Sequence, residues 1–173
     1  MSPTFDRDLP PALAAANQAD YGHADGDGIE FDPYEAFLSA EDTADWIRDW
    51  TGNSDLGGED FLVFGRDVGG GHAALWLVRP GARIAEQPVV FLGGEGETAV
   101  VARDLPSYLW LLADGYGPLE VVQYPDRDPQ PHEELTSIAE RFAPGARRTG
   151  RQVMAEAAGE FPDFDSVIEA LCR

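Results

Sequence analysis

The chain has 173 residues, 43% of them hydrophobic and 25% charged, which suits one globular domain with a sizeable core. Its formal net charge of -20 opposes binding to nucleic acid or to an anionic membrane surface, since both call for cationic groups against phosphate. No run approaches the roughly 18 apolar residues of a membrane span, and a single cysteine, Cys172, excludes an intrachain disulfide.

Residues 1–28 are rich in Ala, Asp, Gly and Pro and poor in large apolar side chains. They offer little burial against their ordering entropy, so a flexible acidic tail is expected, with a short helix near Pro11–Gln18. The start MSPTFDRDLPPALAAANQ has neither a basic opening nor a long apolar stretch, which argues against a secretory signal and for the cytoplasm. Next, FDPYEAFL offers Asp32 as an N-cap and Pro33 at the first helical position, which predicts a short helix. Ser39 and Asp42 then open a second helix, with Asp42 where a capping box prefers glutamate. Thr43, Trp46, Ile47 and Trp50 recur at helical spacing, and Gly52 is placed to end the helix in the left-handed region. Trp46 and Trp50 suit a binding stripe, but core packing is the preferred reading.

The period then changes. FLVFG (61–65), HAALWLV (72–78), PVVFLG (88–93) and TAVVA (98–102) are short apolar runs. RDVGGG, RPGARIAEQ and GEGE separate them, which predicts an antiparallel meander. The second and third runs are apolar at successive positions, so both faces of those strands are expected to be covered. In DLPSYLWLLADG (104–115), Leu105, Tyr108, Leu109 and Leu112 form a stripe, with Asp104 and Gly115 as caps. Trp110 and Leu111 spread apolar surface around this helix and imply deep burial. Residues 116–131 read as connection, with an edge strand at Leu119–Gln123. HEELTSIAERF (132–142) predicts a helix with Leu135, Ile138, Ala139 and Phe142 on one face. TGRQVMAEAAG (149–159) is a weaker helix, and DFDSVIEALCR (163–173) places Phe164, Val167, Ile168 and Leu171 on a stripe. The fold class is α+β, a central antiparallel sheet of four to six strands flanked by N-terminal and C-terminal helices.

The glycine-rich break after Leu92 does not suit a phosphate loop. Such a loop leads into a helix and usually carries a lysine. This one carries Glu95 and Glu97 and leads into a strand, and the chain has no lysine; its 12 basic residues are all arginine, as a GC-rich genome would produce. A hairpin turn is the expected role. The string DGDGIEFDPYE (25–35) fails as a calcium loop, with Glu30 and Ala36 where glycine and glutamate are needed. His23, His72 and His132 lack metal-ligand spacing, and no nucleophile motif is present. The residues therefore support no catalytic set, no metal and no cofactor. The charge is uneven: residues 1–60 hold 15 acidic and 2 basic residues. That bias serves solubility, or it steers a basic partner.

Three ordered segments carry a family resemblance. They are DWIRDWTGN (45–53), FLVFGRDVGGGHAALWLV (61–78) and QPVVFLGGEGETAVVARDLPSYLWLLADG (87–115). The block Ile29 to Glu120 resembles the SUKH superfamily, in the branch like the yeast Smi/Knr cell-wall assembly regulator. Val68 and Gly69 stand where that family often has Gly and Thr, and Gly94 where it often has Ser. The resemblance implies a single SUKH-like domain over 29–173 and a non-enzymatic, protein-binding role. It suggests a bacterial immunity protein that neutralises a polymorphic toxin domain. The expected partner is a protein, a basic toxin domain among the candidates. The candidate surface is the turn pair Arg66, Asp67, Glu95 and Glu97, with acidic residues of the first helices beside it; for these four an ordinary solvated turn is the plainer reading. A regulatory or scaffolding protein without a toxin partner is the alternative, and a small-molecule-binding or enzymatic domain is a third.

Overall fold

The computed structural model describes residues 8–21 and 28–173. Five strands form one antiparallel sheet in the order of the chain: β1 (Asp32–Pro33), β2 (Phe61–Arg66), β3 (His72–Trp76), β4 (Val89–Leu92) and β5 (Thr98–Ala102). Register runs Arg66 opposite His72, His72 opposite Leu92 and Leu92 opposite Thr98, so the two glycine-rich turns lie at the same end of the sheet. Side chains alternate along each strand. One face carries Leu62, Phe64, Ala73, Leu75, Val89 and Phe91, and the other carries Phe61, Val63, Ala74, Val90 and Leu92. All are buried, as the apolar runs predict. Each large side chain so buried contributes about 1.5–3 kcal/mol relative to exposure.

Helices cover both faces. On the first lie α1 (Pro11–Gln18), α3 (Leu105–Ala113) and α5 (Glu133–Phe142), and on the second α2 (Ala40–Thr51) and α7 (Phe164–Glu169). Between α3 and α5 runs the short α4 (Pro118–Gln123). The helix α6 (Gly150–Glu160) gives Val153 to the first core and Ala157 to the second, and so passes the β5 edge of the sheet. The caps act where the sequence places them. Ser39 accepts from the Asp42 N–H at 3.1 Å, Asp104 accepts from the Ser107 N–H at 2.9 Å, and Gly52 ends α2 at φ 69°. Every residue of α3 except Pro106 is buried, which makes it the central helix of the first layer. Among the described residues no helix is long and apolar enough to cross a membrane.

Four local expectations are corrected. Asp32 and Pro33 start no helix; they form β1 against Arg66 and Gly65. The Tyr34 and Leu38 N–H groups find acceptors on β2, at the Phe64 and Val63 carbonyls, both at 2.9 Å. Leu119–Gln123 is helical, because Pro118 sets the first turn and the Glu120 carboxylate accepts from the Gly117 N–H at 3.0 Å. In α7 Val167 is exposed, and only Phe164 and Ile168 enter the core. Finally, residues 8–21 belong to the folded body. Leu13 and Ala16 are fully buried, and the Asn17 amide donates to the carbonyls of Tyr34 and Phe64. The rest of the expected tail, residues 1–7 and 22–27, lies outside the described residues.

Candidate functional site

The turn joining β2 to β3 is built around Asp67. Its backbone N–H donates to the Gly71 carbonyl at 3.0 Å, and its carboxylate accepts from the Gly71 N–H at 2.7 Å. Gly70 supplies the left-handed residue at φ 89°. The turn joining β4 to β5 closes through Gly93 N–H to the Glu97 carbonyl at 2.7 Å, with Gly96 at φ 95°. The hairpin expectation for this glycine-rich break therefore holds. The two turns also touch. A Cβ added at Gly94 would stand 2.0 Å from the Gly69 carbonyl oxygen, so the close approach depends on glycine.

The helix α2 fixes this corner from the second face. The Trp50 indole N–H donates to the Gly93 carbonyl at 2.8 Å. Trp46 stacks beside His72, with ring centroids 4.9 Å apart, and meets the Phe61 edge at 5.9 Å. Both tryptophans are half-buried against the second core, as the sequence reading places them. Burial holds the His72 imidazole below its ordinary value, and the Arg66 guanidinium across the strand pair pushes the same way.

The four sequence-derived candidates thus come to one end of the sheet, in different states. Arg66 is exposed and pairs with Asp32 at 3.6 Å, a surface contact of little energetic weight. Asp67 is only 6% exposed and is engaged by its own turn. Glu95 is exposed. Glu97 is half-buried against Gly93, and its Oε1 is buried without a hydrogen-bond partner. His132, by contrast, serves the fold: its Nδ1 accepts from the Leu135 N–H, which assigns the proton to Nε2, 2.7 Å from the Asp20 carbonyl. His23 and residues 25–27 of the acidic string lie outside the described residues.

Beside the turns opens a cleft of 790 Å³. Asp49 and Trp50 of α2 form one wall, Gly94, Gly96, Glu97 and Thr98 of the hairpin a second, and Asp165, Ile168 and Glu169 of α7 a third. Four carboxylates line it, from Asp49, Glu97, Asp165 and Glu169, and no cationic residue does. The Asp165 carboxylate accepts from the Thr98 hydroxyl and ties α7 to the hairpin. Among the described residues no three histidine, cysteine, aspartate or glutamate side chains group closely enough to hold a metal ion. The cleft carboxylates are thus spread along its walls and make an acidic field rather than a single chelating cluster. Sequence reasoning finds Glu95 and Glu97, expects acidic residues of the first helices beside them, as Asp49 of α2 is, and misses Asp165 and Glu169. Asp165 and Glu169 join the hairpin only through the packing of α7 on the second face, for which the chain carries no local signal. No family model, curated protein or solved structure matches this chain.

Proposed function

We propose that this protein acts by binding another protein, without turning over a substrate, and that it is an immunity protein that neutralises a basic toxin domain. The observation that carries the reading is the acidic end of the sheet. There, exposed Glu95, half-buried Glu97 and the cleft carboxylates Asp49, Asp165 and Glu169 converge on a chain of net charge -20. Val68, 84% exposed at the tip of the neighbouring turn, adds an apolar contact. Such a surface attracts a cationic domain over distance and then covers it. The resemblance of residues 29–120 to the SUKH superfamily supports the same reading. Steric occlusion of the toxin's active surface is the mechanism.

Co-expression with toxin domains encoded beside the gene tests it. Rescue of growth and recovery of a complex are expected. Charge reversal at Glu95 should slow association by about tenfold or more at low salt, with a smaller effect at high salt. Failure to bind or rescue against every such domain, with ordinary cellular proteins recovered instead, would replace the toxin reading with the regulatory one.

A further inference from the structure

A second groove lies beside the acidic cleft, across the hydrogen bond from the Thr98 hydroxyl to the Asp165 carboxylate. It has a volume of 310 Å³ and runs beside the start of β5, with Ala99 and Val100 on one side and Val121, Met154, Ala158 and Phe161 around it. The two depressions share Thr98 and Asp165. Val121 and Met154 pack on the first core and Phe161 on the second, so the groove lies where both cores reach the surface at the sheet's edge. Thr98 and Ala99 are half-buried, whereas Val100, Val101 and Ala102 are buried.

The charge along this path is polarised. At the cleft end the lining is acidic and no cation belongs to it. At the other end Arg79 already sits over the Phe161 ring, 5.5 Å from its centroid. Arg79 and Arg103 are both paired there with Glu160. A cation arriving from outside is therefore favoured at the cleft, against Trp50 and among the Asp49 and Glu169 carboxylates, and not at the Phe161 end. An apolar side chain is favoured beyond Thr98, over Ala99 and Met154.

We infer that the neighbouring cleft and groove seat one segment of the partner protein, which crosses the Thr98–Asp165 bar with arginine or lysine in the acidic cleft and large apolar side chains in the groove along β5. This deepens the binding reading above and takes from it that the partner is a protein. Charge complementarity chooses the class of occupant, and the apolar floor gives it more than electrostatic adsorption.

The probe is a labelled peptide of about ten residues with paired arginines ahead of a leucine–phenylalanine pair. Two controls replace the arginines by glutamate or the apolar pair by serine. Titrated into the ¹⁵N-labelled full chain, the parent peptide should shift the Trp50 indole N–H and the Thr98 and Ala99 amides. Each control should bind at least about tenfold more weakly. Ala158→Arg, at an exposed helix position, should fold normally and weaken the parent peptide by a similar factor. No binding, or binding that follows net charge alone and ignores Ala158→Arg, overturns the inference. A toxin domain captured equally by the wild type and by Ala158→Arg overturns the groove and leaves the immunity reading standing. Peptide binding in the groove with no toxin captured does the reverse.

Discussion

At Gly94 a single methyl group decides whether two turns can meet. Its added Cβ would meet a backbone carbonyl, which cannot swing aside as a side chain can. Gly94→Ala should therefore cost about 1–3 kcal/mol in urea denaturation. Gly145→Ala, with nothing within 4 Å, should stay within about 0.5 kcal/mol. Equal stability of the two variants would contradict the contact. A second residue-scale test concerns Glu120, 2% exposed, which accepts from the Gly117 and Glu30 N–H groups. Burial raises its pKa above the ordinary 4.5, against the opposing pull of those two hydrogen bonds and of Arg127. A raised carboxyl favours the protonated fold. Its charged form thus costs stability at neutral pH, and the cost fades as pH falls through the folded value towards 4.5. The stability of the wild type relative to Glu120→Gln should rise as urea melts are moved from about pH 7.5 to about pH 5. A constant difference would show that Glu120 titrates alike in both states.

On the scale of elements, α2 is the clamp that holds the hairpin corner. Trp50→Phe keeps an aromatic ring but loses the pyrrole half of the indole and with it the donor to the Gly93 carbonyl, which should cost at least about 1 kcal/mol. Amide exchange at Gly93 and Gly96 should quicken, while that of α3 is unchanged; uniform acceleration would place the loss in global stability instead. The four long strands, both capped helices α2 and α3, and the bounds of α1 were legible because period, caps and turns are local properties. What escaped was decided at a distance. Asp32-Pro33 suits a helix start as well as a strand, and the Phe64 and Val63 carbonyls on β2 settle the choice. Val121 and Val122 suggest a strand, but Pro118 and the Glu120 cap one turn earlier prevail. The glutamates of the β4–β5 turn could be read from their string. Their acidic neighbours on α2 were expected beside them, but those of α7 could not be, since nothing local in the sequence says that this last helix lies on the same face.

For the whole molecule, a net charge of -20 on one domain is a standing repulsion. Salt screens it, with a Debye length of about 10 Å at 0.1 M. Thermal stability should rise when sodium chloride is increased from about 20 mM to about 300 mM, and a Tm that falls or stays level would mean that local ion pairs outweigh the net field. The same field faces any partner. The fold collects part of it at one end of the sheet, where two glycine turns, a helix clamp and α7 make a cleft with no cation of its own. The most direct measurement is a hydrogen-exchange footprint of this chain mixed with the basic toxin domain proposed above as its partner. Protection is expected to centre on Gly93–Ala99 and the end of α2 at Trp50. Protection confined to α5 and the α1 side of the sheet would contradict it.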